Sequence, residues 1–428
     1  MTADGQMGNT VPEDGVCVSE QEGSVGVGEQ AGGACGAEAP GCADAQVVDM
    51  LAEAREAQWT ALSFMGEDAI KLVAPAKVNL FLGVGPRRDD GYHEVLNVMH
   101  ALALHDNIYI SCRDADGEAA DGEAAGAAGG EGGPATAAAA NAAGGEGGPA
   151  TAVADNAAGG DAPCACAFAG PAANLAVRIE MVDKTQVLAA PGARGAIDVP
   201  VRDNIVFKAI DLLARKLDVV RAQRIDVRIE KHVPMQAGLG GGSADAAAAL
   251  VGMAHFWGLA DGGRTLHAAA SQLGADVAFF LKGGCGLFTG KGDAFERTIA
   301  PMKQALVLVR PNAGVSTAEC YAAFDARPVE VPAELAAQAE DADRADDVPL
   351  FNNLAPAAYS IVPELAEVAA WLAAERPGDP RVLLSGSGSA TYAVVDTYAE
   401  AARIAGAANA RGWWARATSF SSLRALKA

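Results

Sequence analysis

One stretch of this sequence carries more structural information than any other: Pro234-Met235-Gln236-Ala237-Gly238-Leu239-Gly240-Gly241-Gly242-Ser243-Ala244-Asp245. Four of the five residues 238–242 are glycines. A strand pattern precedes them, and the Ala-rich run after Ser243 has high helix propensity, so the stretch is a loop that opens a helix. Glycines let backbone N–H groups approach an anion closely, and a helix start carries partial positive charge. The stretch therefore predicts a cradle for phosphate groups.

Two common phosphate-binding loops do not fit this stretch. A Walker loop needs Lys and then Ser or Thr after its last glycine, whereas here Ser243 follows Gly242 directly. A dinucleotide-binding fold needs an acidic residue about twenty positions further on, at the end of a second strand. Asp261 is near that distance but follows a helix in a Gly-rich turn. A flexible glycine turn without a ligand remains as the structural alternative.

The chain as a whole is acidic and half hydrophobic. Its 428 residues include 32 Lys and Arg against 54 Asp and Glu, which gives a formal net charge of −22. This charge argues against nucleic acid or an anionic membrane as a partner, so local groups must meet any bound anion. No uncharged run reaches bilayer length, and residues 1–54 contain neither Lys nor Arg and no apolar core run. We therefore expect no secretory signal and a cytoplasmic location.

Biased segments separate the parts of the chain that we expect to fold from those that we expect to be disordered. Residues 1–68 form an acidic, Gly-rich tail with helical periodicity only at 45–62. A second segment, at about 114–163, contains GGEGGPATAAAANAA, which recurs as GGEGGPATAVADNAA and predicts a disordered insertion. The eight cysteines, including Cys164 and Cys166, show neither disulfide-scaffold nor zinc-site spacing, so free thiols are expected.

The rest of the chain alternates short β-rich runs with longer helical ones. Strand patterns cover residues 71–84, 107–112, 225–230 and 305–310, and helical patterns cover 204–217, 243–257, 265–273 and 399–410. Because hairpin-like strand pairs precede the helices, the pattern favours an α+β fold in two domains over a doubly wound sheet. A new set of strands and helices after Pro301 predicts domains at 69–300 and 301–428.

Three motifs of the GHMP kinase family occur here in the family's order. PMQAGLGGGSADAAAAL, from residue 234, resembles the central motif that wraps ATP phosphates; residues 74–80 (APAKVNL) and 384–390 (LSGSGSA) resemble the first and last motifs. From about residue 70 to 395 the chain is thus similar to galactokinase, homoserine kinase and mevalonate kinase. The resemblance implies a two-domain fold with the active site in the cleft between domains, and ATP bound by residues 234–244.

A fourth segment, Asp90-Gly91-Tyr92-His93-Glu94, resembles the one with which some members of this family recognise cytidine. Tyr92 offers a flat face for a pyrimidine, and His93 offers ring nitrogens or backbone groups for the base edge. Residues 315–321 (VSTAECY) resemble the same members, so Thr317 would contact substrate and Tyr321 would close the other side of the base. The resemblance implies a small cytidine diphosphate-linked substrate of the non-mevalonate isoprenoid pathway. A turn followed by a half-buried aromatic is the structural alternative.

Asp276 and Lys77 are the predicted catalytic residues. Residues 273–280 (LGADVAFF) resemble the family's acidic catalytic segment, with Ala278 where proline is common. A carboxylate among Ala, Val and Phe is poorly solvated, which raises its basicity and suits a residue that takes a proton from an alcohol; Asp276 could equally cap a helix. By resemblance, Lys77 neutralises the transferred phosphoryl group, Asn79 holds substrate, and Ser243 is the protein-side neighbour of Mg²⁺.

Two alternative functions stay open at this point. Another GHMP member, such as a homoserine kinase, a mevalonate kinase or diphosphomevalonate decarboxylase, is distinguished by the segment from Asp90 to His93. A GHMP-fold protein that binds a ligand without catalysis has no need of Lys77, Ser243 and Asp276 together.

Overall fold

The structure, a computed structural model, describes residues 68–115, 174–185, 197, 199–259, 263–378 and 381–428. These residues all belong to one compact unit, Glu56–Ala428. The predicted tail before residue 68, the helix predicted at 45–62, nearly all of the predicted insertion, Cys164, Cys166 and Asp261 lie outside the described residues. No helix of the described part is both long and apolar enough to cross a bilayer.

The described residues contain twelve strands and nine α-helices. The strands are β1 (Ile70–Arg87), β2 (His93–Asp114), β3 (Leu175–Asp183), β4 (Gln223–Lys231), β5 (Cys285–Thr289), β6 (Ala294–Ile299), β7 (Ala305–Arg310), β8 (Phe351–Asn352), β9 (Val382–Leu384), β10 (Thr391–Val395), β11 (Trp414–Ser419) and β12 (Leu426–Lys427). The helices are α1 (Ile205–Lys216), α2 (Gly241–Phe256), α3 (Arg264–Leu273), α4 (Ala275–Lys282), α5 (Thr317–Ala326), α6 (Ala333–Asp341), α7 (Ala355–Ile361), α8 (Glu364–Glu375) and α9 (Tyr398–Ala410).

The strands form two sheets. The larger one has the order β12-β1-β2-β4-β3, with β5 beside β2, β6 beside β5, and β8 beside β1. Its centre is the long antiparallel hairpin of β1 and β2. The smaller sheet, of order β11-β7-β10-β9, is antiparallel throughout. Within the described residues, β3 with β4 and β1 with β8 are the parallel strand pairs, and the other strand pairs of both sheets are antiparallel. The predicted α+β class is therefore confirmed.

Helix α2 is the central helix of the larger core. It packs on β1 and β2 so tightly that a Cβ atom on Gly252 would lie 3.0 Å from Ile110 Cδ1 and 3.2 Å from Leu72 Cδ1. Its alanine-rich sequence has small side chains on every side, and residues 244–254 are all buried. A helix buried all round is held by its packing, so its N-terminus is fixed relative to the sheet.

Both faces of the smaller sheet pack in hydrophobic cores. Val307 and Val309 of β7 pack in one core with residues of α8 and α9. Leu306 and Leu308, which alternate with them, pack in another core with Val78 and other residues of β1. Since side chains alternate along a strand, β7 joins the helical layer to the larger sheet.

The strands and helices predicted within the described residues are confirmed, with shifted ends. The helix predicted from residue 243 begins two residues earlier, at Gly241, because the last two glycines of the loop adopt helical geometry. The domain boundary near Pro301 stays a prediction. It falls between β6 of the larger sheet and β7 of the smaller one, but β8 and β12, later in the chain, return to the larger sheet.

Candidate active site

The sequence motifs meet at one cleft. Its lining comprises Lys77, Asn79, Leu82 and Asn97 from the β1–β2 hairpin, the glycine loop from Pro234 to Ser243, Asp276 from α4, Val315, Thr317, Tyr321 and Leu354, and residues Gly386, Ser387 and Gly388 between β9 and β10. These residues are more than 300 positions apart in sequence, from 77 to 388. Chain folding therefore brings together the groups that the sequence singled out separately.

The glycine loop is hydrogen-bonded to both other motifs. The Lys77 backbone N–H donates to the Leu239 carbonyl over 2.9 Å. The Ser385 hydroxyl donates to the Gly238 carbonyl, also over 2.9 Å. Gly238 has a φ of +72°, and a Cβ atom there would lie 2.0 Å from the Ser385 carbonyl oxygen. A side chain would break this contact, so the position requires glycine.

The start of α2 lies next to Lys77. Gly240 precedes the helix with a φ of +70°, and a Cβ atom on it would lie 2.8 Å from the Phe280 ring and 3.1 Å from Lys77 Cγ. The first N–H groups of a helix have no acceptor within the helix, and here residues 241–243 of the first turn line the cleft. Ala244, which the resemblance included among the ATP-binding residues, is fully buried and does not line the cleft. Its N–H donates to the Gly240 carbonyl.

Lys77 and Asp276 face each other in the cleft. Lys77 Nζ lies 3.5 Å from Asp276 Oδ2, and the two side chains are only 5% and 13% exposed. Lys77 Nζ also donates to Asn79 Oδ1 over 2.8 Å. Residues 77 and 79 share one face of β1, and irregularities in its pairing on both sides of them bend the strand at this point.

Asp276 lies in the first turn of α4 and does not cap that helix. The N-cap residue is Gly274, and no side chain bonds to the exposed backbone N–H groups there. Its carboxylate therefore remains available to the cleft, which removes the capping alternative that the sequence left open.

Asn97 is a cleft residue that the sequence did not reveal. Its Oδ1 accepts a hydrogen bond from Asn79 Nδ2 over 2.8 Å, which turns Asn79 Oδ1 toward Lys77 Nζ. Asn97 is 6% exposed. An asparagine in the middle of an apolar strand, between Leu96 and Val98, was the available signal, because a buried amide needs partners.

A buried ionic cluster binds the backbone just before the glycine loop and the first turn of α2. Lys231 Nζ donates to Asp106 Oδ2 over 2.5 Å and to Asp245 Oδ2 over 2.6 Å. The other oxygen of Asp106 accepts from the N–H groups of His232 and Val233, just before the loop. Burial raises the pKa of Asp245 well above its usual value, although Lys231 opposes the shift. The nearby carboxylates raise the pKa of Lys231 despite its burial, so the ammonium stays charged.

The segment predicted to read cytidine lies beside the cleft. The His93 ring packs on the Tyr321 ring with centroids 5.3 Å apart, and Tyr321 lines the cleft. His93 Nδ1 lies 2.9 Å from the Gly85 carbonyl oxygen, and Nε2 lies 3.1 Å from Asp325 Oδ1. Since protein atoms engage both ring nitrogens, the backbone of His93 is the part left for a base edge.

Thr317 connects the start of α5 to the last of the three motifs, residues 384–390. Its Oγ1 lies 3.1 Å from the hydroxyl of Ser387, within the turn between β9 and β10. Thr317 is the first residue of α5, and Ser316 caps the helix by accepting the N–H of Glu319. The cap holds the Thr317 hydroxyl at the edge of the cleft.

Comparison with known proteins identifies the class. The family model of the GHMP kinases N terminal domain matches residues 204–284, which include α1, β4, the glycine loop and α2 to α4. A crystal structure of a homoserine kinase from Cytophaga hutchinsonii, 16% identical, covers 85% of this chain and 98% of its own with a TM-score of 0.53, a likeness of fold. The fold and its glycine loop are those of a GHMP kinase.

Curated relatives narrow the class. A 4-diphosphocytidyl-2-C-methyl-D-erythritol kinase from Pelotomaculum thermopropionicum is 33% identical over 78% of this chain and 92% of the relative. One from Desulfitobacterium hafniense is 30% identical over 80% of this chain and 92% of the relative. A crystal structure of 4-(cytidine 5'-diphospho)-2C-methyl-D-erythritol kinase, 26% identical, covers 82% of this chain and 100% of its own with a TM-score of 0.53. The chain belongs to the 4-diphosphocytidyl-2-C-methyl-D-erythritol kinase family.

Proposed function

We propose that this protein transfers the γ-phosphoryl group of ATP to the 2-hydroxyl of 4-diphosphocytidyl-2-C-methyl-D-erythritol, a step of the non-mevalonate isoprenoid precursor pathway. The observation that carries the proposal is the 3.5 Å approach of Lys77 Nζ to Asp276 Oδ2 in the cleft that the start of α2 also lines. An amine, a carboxylate and a set of backbone N–H donors at one place suit phosphoryl transfer to an alcohol.

The ATP phosphates lie on the glycine loop. The N–H groups at residues 241–243 and the positive end of α2 meet the phosphate oxygens, and the bare backbone of Gly238 and Gly240 lets the chain come close. The residues from Pro234 to Ala237 border this site. Lys77 neutralises the charge that spreads over the transferred phosphoryl group.

Asp276 acts as the general base. It takes the proton of the 2-hydroxyl while the hydroxyl oxygen attacks the γ-phosphorus; the bond between this phosphorus and the bridging oxygen breaks, and ADP leaves. Asn79 holds the acceptor hydroxyl from one side, because its amide is fixed between Lys77 and Asn97. Little covalent work is asked of the protein, so position and charge supply the acceleration.

Mg²⁺ would enter with ATP. The described residues contain no group of three or more His, Cys, Asp or Glu side chains arranged for a metal ion. The cleft instead offers Ser243 at the helix start, and its hydroxyl fits Mg²⁺ because a Ser or Thr hydroxyl beside the phosphates holds this ion in other nucleotide-binding loops. When bound, the ion would neutralise phosphate charge.

The cytidine end of the substrate lies against the His93 segment. Tyr321 and Thr317 line the cleft, and the His93 ring packs on Tyr321. In this proposal Tyr321 and Tyr92, the residue before His93, offer aromatic faces, the backbone of His93 meets the base edge, and Thr317 contacts the substrate. These contacts distinguish this substrate from homoserine and mevalonate, which contain no nucleobase.

The reaction is tested by an ATP-consumption assay that offers the purified protein 4-diphosphocytidyl-2-C-methyl-D-erythritol beside homoserine, galactose and mevalonate. We expect turnover with the cytidine-linked substrate. Turnover only with one of the other three would reassign the substrate. Turnover with none, together with retained ATP binding, would favour the silent ligand-binding alternative.

The role of Asp276 is tested by Asp276→Asn, which keeps the size of the side chain and removes the base. We expect the turnover number to fall by about a thousandfold, within the range that general bases contribute, while ATP affinity measured by calorimetry stays within about threefold. Near-normal turnover would remove Asp276 as the base.

A further inference from the structure

Three consecutive backbone carbonyls at the start of the glycine loop accept hydrogen bonds from the C-terminal part of the chain. The Met235 carbonyl accepts from a guanidinium N–H of Arg310, the last residue of β7, over 2.9 Å. The carbonyls of the next two residues accept from the N–H groups of Ser389 and Ala390, over 3.3 and 3.0 Å. Residues 235–237 are therefore held at three successive points, and at the first of them the donor is a charged side chain.

Gln236, in the middle of this stretch, has a left-handed backbone. Its φ is +52°, a conformation that residues with a Cβ atom rarely adopt. Its side chain packs on the backbone of Gly314, where an added Cβ atom would lie 2.9 Å from Gln236 Oε1. A strained conformation persists only where its surroundings hold it. Here the hydrogen bonds to the carbonyls of Met235 and Ala237, on either side of Gln236, hold it.

Arg310 is a half-buried cation whose hydrogen bonds go to backbone carbonyls. Besides its bond to Met235, its Nε donates to the Pro311 carbonyl over 3.1 Å. Burial lowers the pKa of the guanidinium, and no carboxylate among the described residues opposes this shift. A desolvated charge needs compensating contacts. For Arg310 these contacts are the two carbonyl oxygens, one of which belongs to the glycine loop.

The bond from Arg310 sets the orientation of the peptide between Met235 and Gln236. This peptide is trans and planar, so its N–H points opposite to its carbonyl. A carbonyl held by the guanidinium therefore also restricts the Gln236 backbone and the path of the chain into the glycines. Arg310 does not itself line the cleft, whereas Met235 and Gln236 do. An effect of Arg310 on a bound nucleotide must therefore be transmitted by the loop.

We infer that Arg310 is a positioning residue for ATP, which holds the first residues of the glycine loop in the conformation that binds the nucleotide. This inference rests on the proposed ATP site. Without the guanidinium the Met235 carbonyl loses its donor, and Gln236 is free to leave the left-handed region. The binding conformation is then only a fraction of the population, and the apparent affinity for the nucleotide falls by that fraction.

Calorimetry with ADP as the probe tests the inference on the full chain without turnover. In Arg310→Met we expect the Kd of ADP to rise about tenfold, as for the loss of one charge-assisted hydrogen bond. Arg310→Lys, which keeps the charge and one donor group, should bring the Kd back to within about threefold of the unmodified protein.

Steady-state kinetics separate positioning from a general loss of function. In Arg310→Met the KM of ATP should rise about tenfold. Saturating ATP selects the binding conformation of the loop, so kcat should change less than twofold. The KM of the cytidine-linked substrate should also change less than twofold, because the acceptor hydroxyl is held by Asn79 and Asp276 on other elements.

The matched control is Arg416→Met. Arg416 lies on the same face of the smaller sheet as Arg310, because β11 and β7 pair residue 416 with 308 and residue 414 with 310. It also donates to two backbone carbonyls, those of Thr185 and Ala415, and burial also lowers its pKa. Neither carbonyl belongs to the glycine loop. This variant should keep the Kd of ADP within twofold, whatever its loss of thermal stability.

Equal rises in the Kd of ADP for Arg310→Met and Arg416→Met would mean that the sheet as a whole, and not the contact with the loop, sets the affinity. An unchanged Kd in Arg310→Met would show that the loop needs no such donor. Either result overturns the inference alone. If Arg310→Met does not fold, Arg310→Gln takes its place with the same expected rise, because its amide is uncharged and shorter than the guanidinium. Failure of the unmodified protein to bind ADP would overturn the proposed ATP site itself.

Discussion

Replacing Gly238 by alanine is the sharpest test of how the glycine loop is held. A Cβ atom at this position would lie 2.0 Å from the Ser385 carbonyl oxygen and 3.0 Å from that of Gly388. Ordinary contact begins near 3.4 Å, so the loop or the turn after β9 must move by about 1.4 Å. The φ of +72° adds about 1–2 kcal/mol of strain for any residue with a Cβ atom.

A shift of this size is large for phosphoryl transfer. Misplacement by about 1 Å can lower a rate about a hundredfold, so we expect kcat/KM for ATP to fall about a hundredfold or more in Gly238→Ala. The protein should still fold, because overpacking typically costs only about 1–3 kcal/mol. The assay is ADP release with ATP varied at saturating 4-diphosphocytidyl-2-C-methyl-D-erythritol, together with a thermal unfolding curve.

Gly406→Ala is the matched control. Gly406 lies within α9, where an added Cβ atom meets nothing within 4 Å. This variant should keep its activity within twofold and gain about 0.5–1 kcal/mol of stability, as expected for alanine in a helix. If Gly238→Ala kept the KM of ATP and kcat within twofold of the unmodified protein, the loop would not depend on its contact with the turn, and the reasoning would be wrong.

Two further predictions concern buried charges. Lys231→Met leaves Asp106 and Asp245 without their ammonium and should lower the free energy of unfolding by about 3–5 kcal/mol. Asp245→Asn should lower it by no more than about 1 kcal/mol, because burial already favours the neutral form of Asp245. Urea unfolding measures both losses, and equal losses would show that Asp245 depends on its charge as much as Lys231 does. His100 is fully buried, accepts the Met302 N–H at Nε2 and faces the Ala101 carbonyl with Nδ1, and burial lowers its pKa to about 4. Since the unfolded state, with a His pKa near 6.5, takes up this proton first, stability should fall by about 3 kcal/mol between pH 6.5 and pH 4, and His100→Gln should lose this part of the pH dependence. Parallel pH profiles for the two proteins would exclude His100 as the cause.

Local sequence was sufficient to predict the strands, the helices and the glycine loop. The change from alternating to helical periodicity gave the strands and helices, because the side-chain repeat of each element is a local property. Four glycines before an alanine-rich run gave a loop and a helix start, and the structure has both. The strands and helices could be found without knowing what they pack against.

Contacts between segments that are distant in sequence could not be predicted from local periodicity. Asn97 lies 18 residues from Asn79, and Asp106 lies 125 from Lys231, yet each pair is hydrogen-bonded. Nothing in the local pattern of either segment indicates its partner. Lys291 and Tyr92 are 199 residues apart, yet Lys291 Nζ lies 4.9 Å from the centroid of the Tyr92 ring.

The sequence by itself determined the α+β class, the glycine loop before a helix and the resemblance to the GHMP kinases, since these depend on residue types at fixed short spacings. Only the tertiary structure decided that Lys77 and Asp276 meet at the start of α2, that Gly238 admits no side chain, and that both ring nitrogens of His93 are engaged. The physical reason is that a side chain's partner is set by which strands and helices pack together, and that packing is a property of the whole folded chain.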